Sequence, residues 1–264
     1  MEKSWTEYND KGNTKRCYTF DSITNNSDAY FIGYMACDGS FVYNRGYSFM
    51  SVNSTADYII QNFHDTYSPD TKIYDLGFNS SKLVTAVNRV FETRFAPRMK
   101  ATFSKFGIFD YKKNRRVIGI PNKFFGAYLR GVIDADGFIT VTHRKDCRTP
   151  RLRWFITHES EQYLSDLQEK VASIYKVTTT LRQHGKNVWR LQAQNTEENI
   201  RMFKEIYSIF LDVWNIKKYT IVAMYFAKYV PQSSDELLEP SGISSQAKDT
   251  SLEGSETTGE VQTS

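Results

Sequence analysis

Residues 127–139, "AYLRGVIDADGFI", and residues 29–41, "AYFIGYMACDGSF", share one frame: Ala-Tyr-x-x-Gly-x-x-x-x-Asp-Gly. Both read as apolar helices that stop at an Asp-Gly step. Small residues recur every four positions, as Ala29, Gly33 and Cys37 in one copy and Ala127, Gly131 and Ala135 in the other. On a helix that spacing makes a single narrow stripe. The distance between packed helices follows the size of the side chains at the contact, so two such stripes predict a closely packed helix pair. Gly39 and Gly137 are expected to supply the left-handed residue that ends each helix.

The duplication extends downstream. Each motif leads into alternating segments and then into an expected Asn-led helix, "LGFNSSKLVTAVNRVF" (76–91) and "LQAQNTEENIRMFKEIY" (191–207), with Asn79 and Asn195 as N-caps. Each copy then reaches a lysine pair, Lys112–Lys113 and Lys217–Lys218. The pattern predicts two α+β units in tandem. They span 27–113 and 123–230, with a linker at 114–122 in which Pro121 and Asn122 signal the start of the second motif helix.

The flanks read differently. Residues 1–26 are polar, lack an apolar secretion-signal core, and are expected to form a disordered N-terminal arm, the alternative being that "NTKRCYTF" extends onto phosphates. Residues 231–264 hold seven acids against the single Lys248, contain no aromatic residue, and read as a disordered acidic tail. The net charge of +4 therefore conceals a body, residues 1–230, that carries +10. A body that basic favours a polyanionic partner. No window is apolar enough for a membrane span. Cys17, Cys37 and Cys147 are few, scattered and odd in number, which suits a reducing intracellular compartment and argues against a disulfide framework or zinc cluster.

A carboxylate at the negative pole of a helix dipole costs up to about 1 kcal/mol. If the stripes pack, Asp38 and Asp136 meet at two such poles and repel. Either one carboxyl takes a raised pKa or a divalent cation turns the repulsion into a ligand set. Hard oxygen ligands with open positions suit Mg²⁺, the arrangement for displacement at a phosphodiester.

At this point the sequence resembles the LAGLIDADG homing endonucleases in their single-chain, two-motif form. Residues 129–137, "LRGVIDADG", match the family motif closely, and "FIGYMACDG" (31–39) is a divergent copy. The resemblance spans roughly residues 27–225. It implies two pseudo-symmetric αββαββα repeats forming a DNA-binding saddle, with the motif helices at the repeat interface. It also implies Mg²⁺ (or Mn²⁺) held by Asp38 and Asp136 with the backbone carbonyls of Cys37 and Ala135. Asp134 takes the motif's earlier acidic position, where repeat one has Ala36. A basic residue near each scissile phosphate is expected among Lys112, Lys113, Lys217 and Lys218.

Strand alternation tests the same idea from other residues. Thr140, Thr142 and Arg144 share one face of their segment, as do Arg151 and Arg153, Arg182 and His184, and Arg190, Gln192 and Gln194. Arginine pairs with guanine and glutamine with adenine at base edges, so this face reads as a major-groove surface. Repeat one offers Asn44, Arg45, Ser51 and Asn53. Unequal repeats imply an asymmetric target and a protein that works as a monomer. The expected activity is site-specific double-strand DNA cleavage, across the minor groove to leave 3′ overhangs as the resemblance implies. The competing expectations are an intron RNA maturase and a non-cleaving DNA-binding regulator. The first residue, Met1, and the lack of a terminal His-Asn give no sign of an embedded splicing module.

Overall fold

In a computed structural model the described residues are 4–10, 13–19, 22–44, 47–54, 56–67, 69–70, 72–77, 84–89, 103–109, 111–143 and 149–230; side chains are described from residue 22 on, except 40–51, 53 and 74–89. The acidic tail and Asn79 lie outside them.

The first motif forms α1 (Asn26–Asp38), started by Asn25, whose side chain accepts from the Asp28 N–H at 2.8 Å and returns a bond to the Asp28 carboxylate. The second forms α3 (Phe125–Asp136), entered from Pro121 through a single 3₁₀ turn at Asn122–Phe124. After α1 come β3 (Gly39–Asn44), β4 (Tyr47–Ser54), α2 (Asp57–Tyr67), β5 (Ile73–Gly77) and β6 (Val84–Arg89). After α3 come β7 (Gly137–Thr142), β8 (Arg151–His158), α4 (Glu161–Tyr175), β9 (Thr179–Gly185) and β10 (Val188–Ala193). Two further helices follow among the described residues, α5 (Thr196–Ser208) and α6 (Ile216–Tyr229). Each half builds an antiparallel sheet of the same order, first strand, second, fourth, third. That shared order is the internal repeat expressed in topology.

Three expectations are corrected. The described parts of the expected Asn-led helix over 76–91 are strand. Leu76 and Gly77 close β5, and 84–89 is β6, which pairs with β5 (Leu76↔Thr85) and with β4 (Ser54↔Ala86). The run "LVTAVNRVF" has helical apolar spacing, but Val84, Thr85 and Val87 are β-branched, stiff at χ1, and suit an unfilled place in the sheet. Its counterpart in repeat two is β10, not α5. Asn195 does cap α5, accepting from Glu197 and Glu198 N–H.

The N-terminal arm is not without structure. β1 (Ser4–Asp10) and β2 (Asn13–Thr19) pair antiparallel from Ser4↔Thr19 to Asp10↔Asn13. Two residues separate these strands, the connection length that hairpins favour.

Gly39 and Gly137 are not left-handed. Their φ values of −74° and −81° are ordinary extended backbone, and each helix runs straight into a strand. Glycine is required there for a different reason. A Cβ on Gly39 would stand 2.4 Å from the Met35 carbonyl oxygen, and one on Gly137 2.6 Å from that of Ile133.

The core lies beneath both sheets and around the motif helices, where α1 is buried from Asp28 to Cys37 and α3 from Phe125 to Asp134. In repeat two, Leu152, Trp154 and Ile156 point inward from β8, and the indole N–H of Trp154 donates to Asn199 of α5 at 3.0 Å. Asn199 in turn donates to the Leu152 carbonyl at 2.8 Å, which fixes α5 against the strand.

Candidate active site

The motif helices form the largest interface between any two described elements. Their crossing is reciprocal. A Cβ on Gly33 would sit 2.1 Å from the Tyr128 carbonyl oxygen, and a Cβ on Gly131 would sit 2.1 Å from that of Tyr30. Glycine is therefore needed on both helices for their backbones to touch. The stripe read from the sequence is the contact.

This crossing brings the two Asp-Gly ends under each other's influence. Burial, and then the charge of Asp136, push the Asp38 carboxyl up to about 7, with Lys112 and Lys218 opposing. Asp136 is likewise raised by burial, while Lys112, Lys218 and Arg115 pull it down. Two half-buried carboxylates in mutual repulsion fit a divalent cation, because hard oxygen donors holding unrelieved negative charge are what such an ion neutralises. Among the described residues, no cluster of three or more His, Cys, Asp or Glu side chains could hold a metal ion. A cation at this site would rely on the two carboxylates, backbone carbonyls and solvent.

The dipole penalty on these acids is offset by two basic side chains laid over the helix ends. Lys218 Nζ donates to the carbonyls of Ile133 (2.6 Å), Asp134 (2.8 Å) and Ala135 (3.3 Å) at the end of α3. At the end of α1 the same work falls to Arg115. Its guanidinium donates to the carbonyls of Ala36 (2.6 Å), Cys37 (3.4 Å) and Gly39 (2.5 Å). Cations at a helix C-terminus satisfy orphan carbonyls and complement the macrodipole. The Cys37 and Ala135 carbonyls, expected as metal ligands, take the longest bond of each set.

Arg115 was not legible in the sequence. It lies in the expected linker, is fully buried, and reaches a helix about 80 positions earlier in the chain. The linker is bound down rather than loose. Arg116 forms a two-pronged pair with Asp166 at 2.7 and 3.0 Å, and the Val117 N–H joins the same carboxylate. Ser160 holds the Arg115 carbonyl at 3.0 Å.

His158 is a second unforeseen member. Its Nδ1 accepts from the Ser160 N–H at 3.0 Å, so the proton sits on Nε2, which donates to the Ala36 carbonyl at 3.3 Å. Burial, helped by the Arg115 charge, lowers its pKa to about 3 and keeps the ring neutral. An Arg115→Lys variant has one ammonium where three carbonyls need a planar fork. It is expected to cost about 1–2 kcal/mol, read as a melting temperature lower by roughly 4 °C.

Within each lysine pair the members diverge. Lys112 and Lys218 act on both acids, whereas Lys113 is exposed with its ammonium 5.8 Å from the Tyr111 ring, and Lys217 is exposed. Asp134 takes no part in the carboxylate pair. Fully buried, it accepts from Tyr30 Oη (2.9 Å) and the Asn215 N–H (2.8 Å), tying α1, α3 and the start of α6 together. Arg130 lies nearby, its guanidinium 4.6 Å from the Tyr207 ring and 5.6 Å from that of Trp214.

The second sheet sorts its side chains as alternation predicts. Thr140 pairs with Arg153 and Thr142 with Arg151 across β7 and β8, and Arg190 pairs with Arg182 and Gln192 with Thr180 across β10 and β9. With exposed His184 and Gln194, this face is polar and basic. Arg182 donates to Gln192 at 3.3 Å, and Arg190 contacts His184. The side chains of Asn44, Ser51 and Asn53, and all of Arg45 and Arg144, lie outside the described residues.

No protein-family model matches the chain, and no curated protein matches it. Solved structures do. The chain is similar to I-SmaMI bound to an uncleaved DNA target in the presence of calcium ions, with a TM-score of 0.54 and 13% identity over 78% of this chain and 90% of that one. It is similar also to the LAGLIDADG homing endonuclease I-GzeII in complex with its DNA target, at TM-score 0.51 and 12% identity over 78% and 89%. The LAGLIDADG meganuclease I-AabMI bound to uncleaved DNA gives TM-score 0.50 and 13% identity over 77% and 90%. Sequence identity this low carries architecture alone, and the architecture of this chain is the LAGLIDADG homing endonuclease fold.

Proposed function

We propose that this chain is a site-specific double-strand DNA endonuclease, working as a monomer on a long asymmetric target with Mg²⁺ or Mn²⁺. One observation carries the reading: Asp38 and Asp136, one from each copy of the motif, are both raised by burial, and Asp38 further by the Asp136 charge, at two helix ends that crossing glycines hold together. Burying these acids, and setting Asp38 beside Asp136, costs stability in the free protein, a cost that a metal-dependent phosphodiesterase accounts for. The similar structures captured on DNA, one of them with calcium, support the same reading.

In this reading Asp38 and Asp136, with the Cys37 and Ala135 carbonyls, hold the metal. A divalent ion held there would supply Lewis-acid polarisation of the scissile phosphates and a more acidic water. Lys112 and Lys218 offset charge beside the acids and stabilise the charge that develops in the transition state. The basic face of the second sheet, Thr140, Thr142, Arg151, Arg153, Arg182, His184, Arg190, Gln192 and Gln194, lies along the major groove. Asn44, Arg45, Ser51, Asn53 and Arg144 are proposed to extend that surface. A reducing intracellular compartment and a freestanding or intron-encoded origin belong to the same proposal.

Selection for cleavage from a randomised duplex library with Mg²⁺ tests it. The expected result is cutting at one long asymmetric site, lost by roughly 10²–10³-fold or more in Asp38→Asn and Asp136→Asn while binding persists. Lys218→Ala and Lys112→Ala should slow cleavage by at least ten-fold, and Lys217→Ala and Lys113→Ala by less than two-fold. Site-specific binding without cutting by the native protein would sink the enzyme and favour a regulator. Binding to structured RNA in preference to any duplex would favour a maturase.

A further inference from the structure

Two phenylalanines interrupt the basic face of the second sheet. Phe138 and Phe155 are directly paired across β7 and β8, and their rings stack at 5.0 Å and 27°. Phe138 is 52% exposed, an unusual state for so large an apolar side chain among arginines and threonines. The Arg190 guanidinium lies 4.3 Å from the Phe155 ring, so the cation is stacked and steered by it. The same cross-strand row continues from Phe155 to Gln192 and Thr180. An apolar pair at the solvent face of an inward-packed strand does nothing for the core, since Ile139 and Trp154 already supply the inward side.

The position narrows what this pair meets. Phe138 stands two residues after Asp136, at the first outward place of the strand that leaves the active site. A base it touches therefore lies close to the cleaved bonds. The basic side chains around it demand a polyanion, and the apolar group that a DNA major groove presents is the thymine 5-methyl. We infer that Phe138, braced by Phe155, is a specificity-determining contact for a pyrimidine 5-methyl group near the scissile phosphates. Gln192 and Arg190 in adjoining positions read the polar edges of the same base pairs. The inference rests on the proposed DNA-binding function.

The test uses the duplex recovered by the selection above, held in Ca²⁺ so that binding is measured without turnover. Each thymidine is replaced in turn by deoxyuridine, which deletes only the methyl. Burying one methyl is worth roughly a four-fold change in affinity. The expected result is a three- to ten-fold loss at one or two thymines beside the cleavage positions. In Phe138→Ala the thymidine and deoxyuridine duplexes should bind equally. Phe155→Leu, which keeps an apolar floor without the stack, should reduce the discrimination part way.

Methyl discrimination that survives in Phe138→Ala, or no uracil-sensitive position in a duplex that is otherwise bound specifically, would overturn the inference while leaving the DNA-binding function intact. Failure to bind any duplex would remove the function itself. Concentration-dependent self-association of the free protein that Phe138→Ala abolishes would mark the pair as a protein interface and overturn it also.

Discussion

Gly33→Ala is expected to cost more than about 4 kcal/mol, a large part of the 5–15 kcal/mol that holds a typical domain folded. The added methyl would stand 2.1 Å from a backbone carbonyl oxygen of the facing helix. No rotamer relieves that contact, because neither atom belongs to a flexible side chain. The helices must separate by on the order of 1 Å, and a clash between two backbones exceeds the roughly 1–3 kcal/mol usual for overpacking. Gly131→Ala should do the same through the Tyr30 carbonyl. Gly185→Ala is the control, since its nearest neighbour would be a side-chain carbon 4.0 Å away. Thermal melts decide the matter. A fall above 10 °C in the two motif variants with less than 2 °C at Gly185 is the expected pattern, and a Gly33→Ala protein as stable as the native one would refute the backbone contact.

Asp38→Asn should move stability the other way. The carboxyl titrates near 7 in the folded chain and near 4 when unfolded. Below pH 4 both states are protonated and the group is neutral to stability. As pH rises toward 7 the unfolded state ionises first, so the native protein loses stability across that window and stays lowered above it. At pH 8 the penalty amounts to about 4 kcal/mol. In EDTA the asparagine variant is therefore expected to melt roughly 10 °C higher than the native protein at pH 8, with the gap closing toward pH 4. Excess Mg²⁺ should raise the native melting temperature and leave the variant nearly unchanged, because a ligand that binds only the folded state stabilises it by mass action. Equal melting temperatures in EDTA from pH 5 to 8 would show that the two carboxylates do not strain the fold. The variant that loses activity should be the more stable one.

What could be read in advance follows a physical division. The motif pair was legible because a four-residue small stripe and a shared Asp-Gly ending are local patterns with one structural meaning. The outward faces of β7, β8, β9 and β10 were legible because alternation in a half-buried strand is local too. Residues 84–89 were misread because their apolar spacing suits a helix. Their strand state is imposed by β4 and β5, which the local run does not contain. Arg115 was invisible for a related reason. Next to Arg116 it is one of two identical letters, yet one is fully buried over a distant helix end and the other faces Asp166 at the surface. Phe138 and Phe155 share the outward face with Thr140 and Arg153, but a face read for its charged and polar letters gave two aromatics no part.

The capping of α1 gives the duplication a direction. The end of α3 is closed by Lys218, from its own repeat, whereas the end of α1 is closed by Arg115 from the connecting segment and by His158 from the far repeat. The first repeat is thus a tenant of the second. A chimera that grafts a foreign second half after residue 113 inherits the first motif helix without the groups that make its acidic end tolerable. A graft that keeps everything from residue 114 onward retains both caps. Module exchange in this chain is permitted in one order and closed in the other, and a shuffled library cut at 113/114 should return live clones from only one of its two parental orientations.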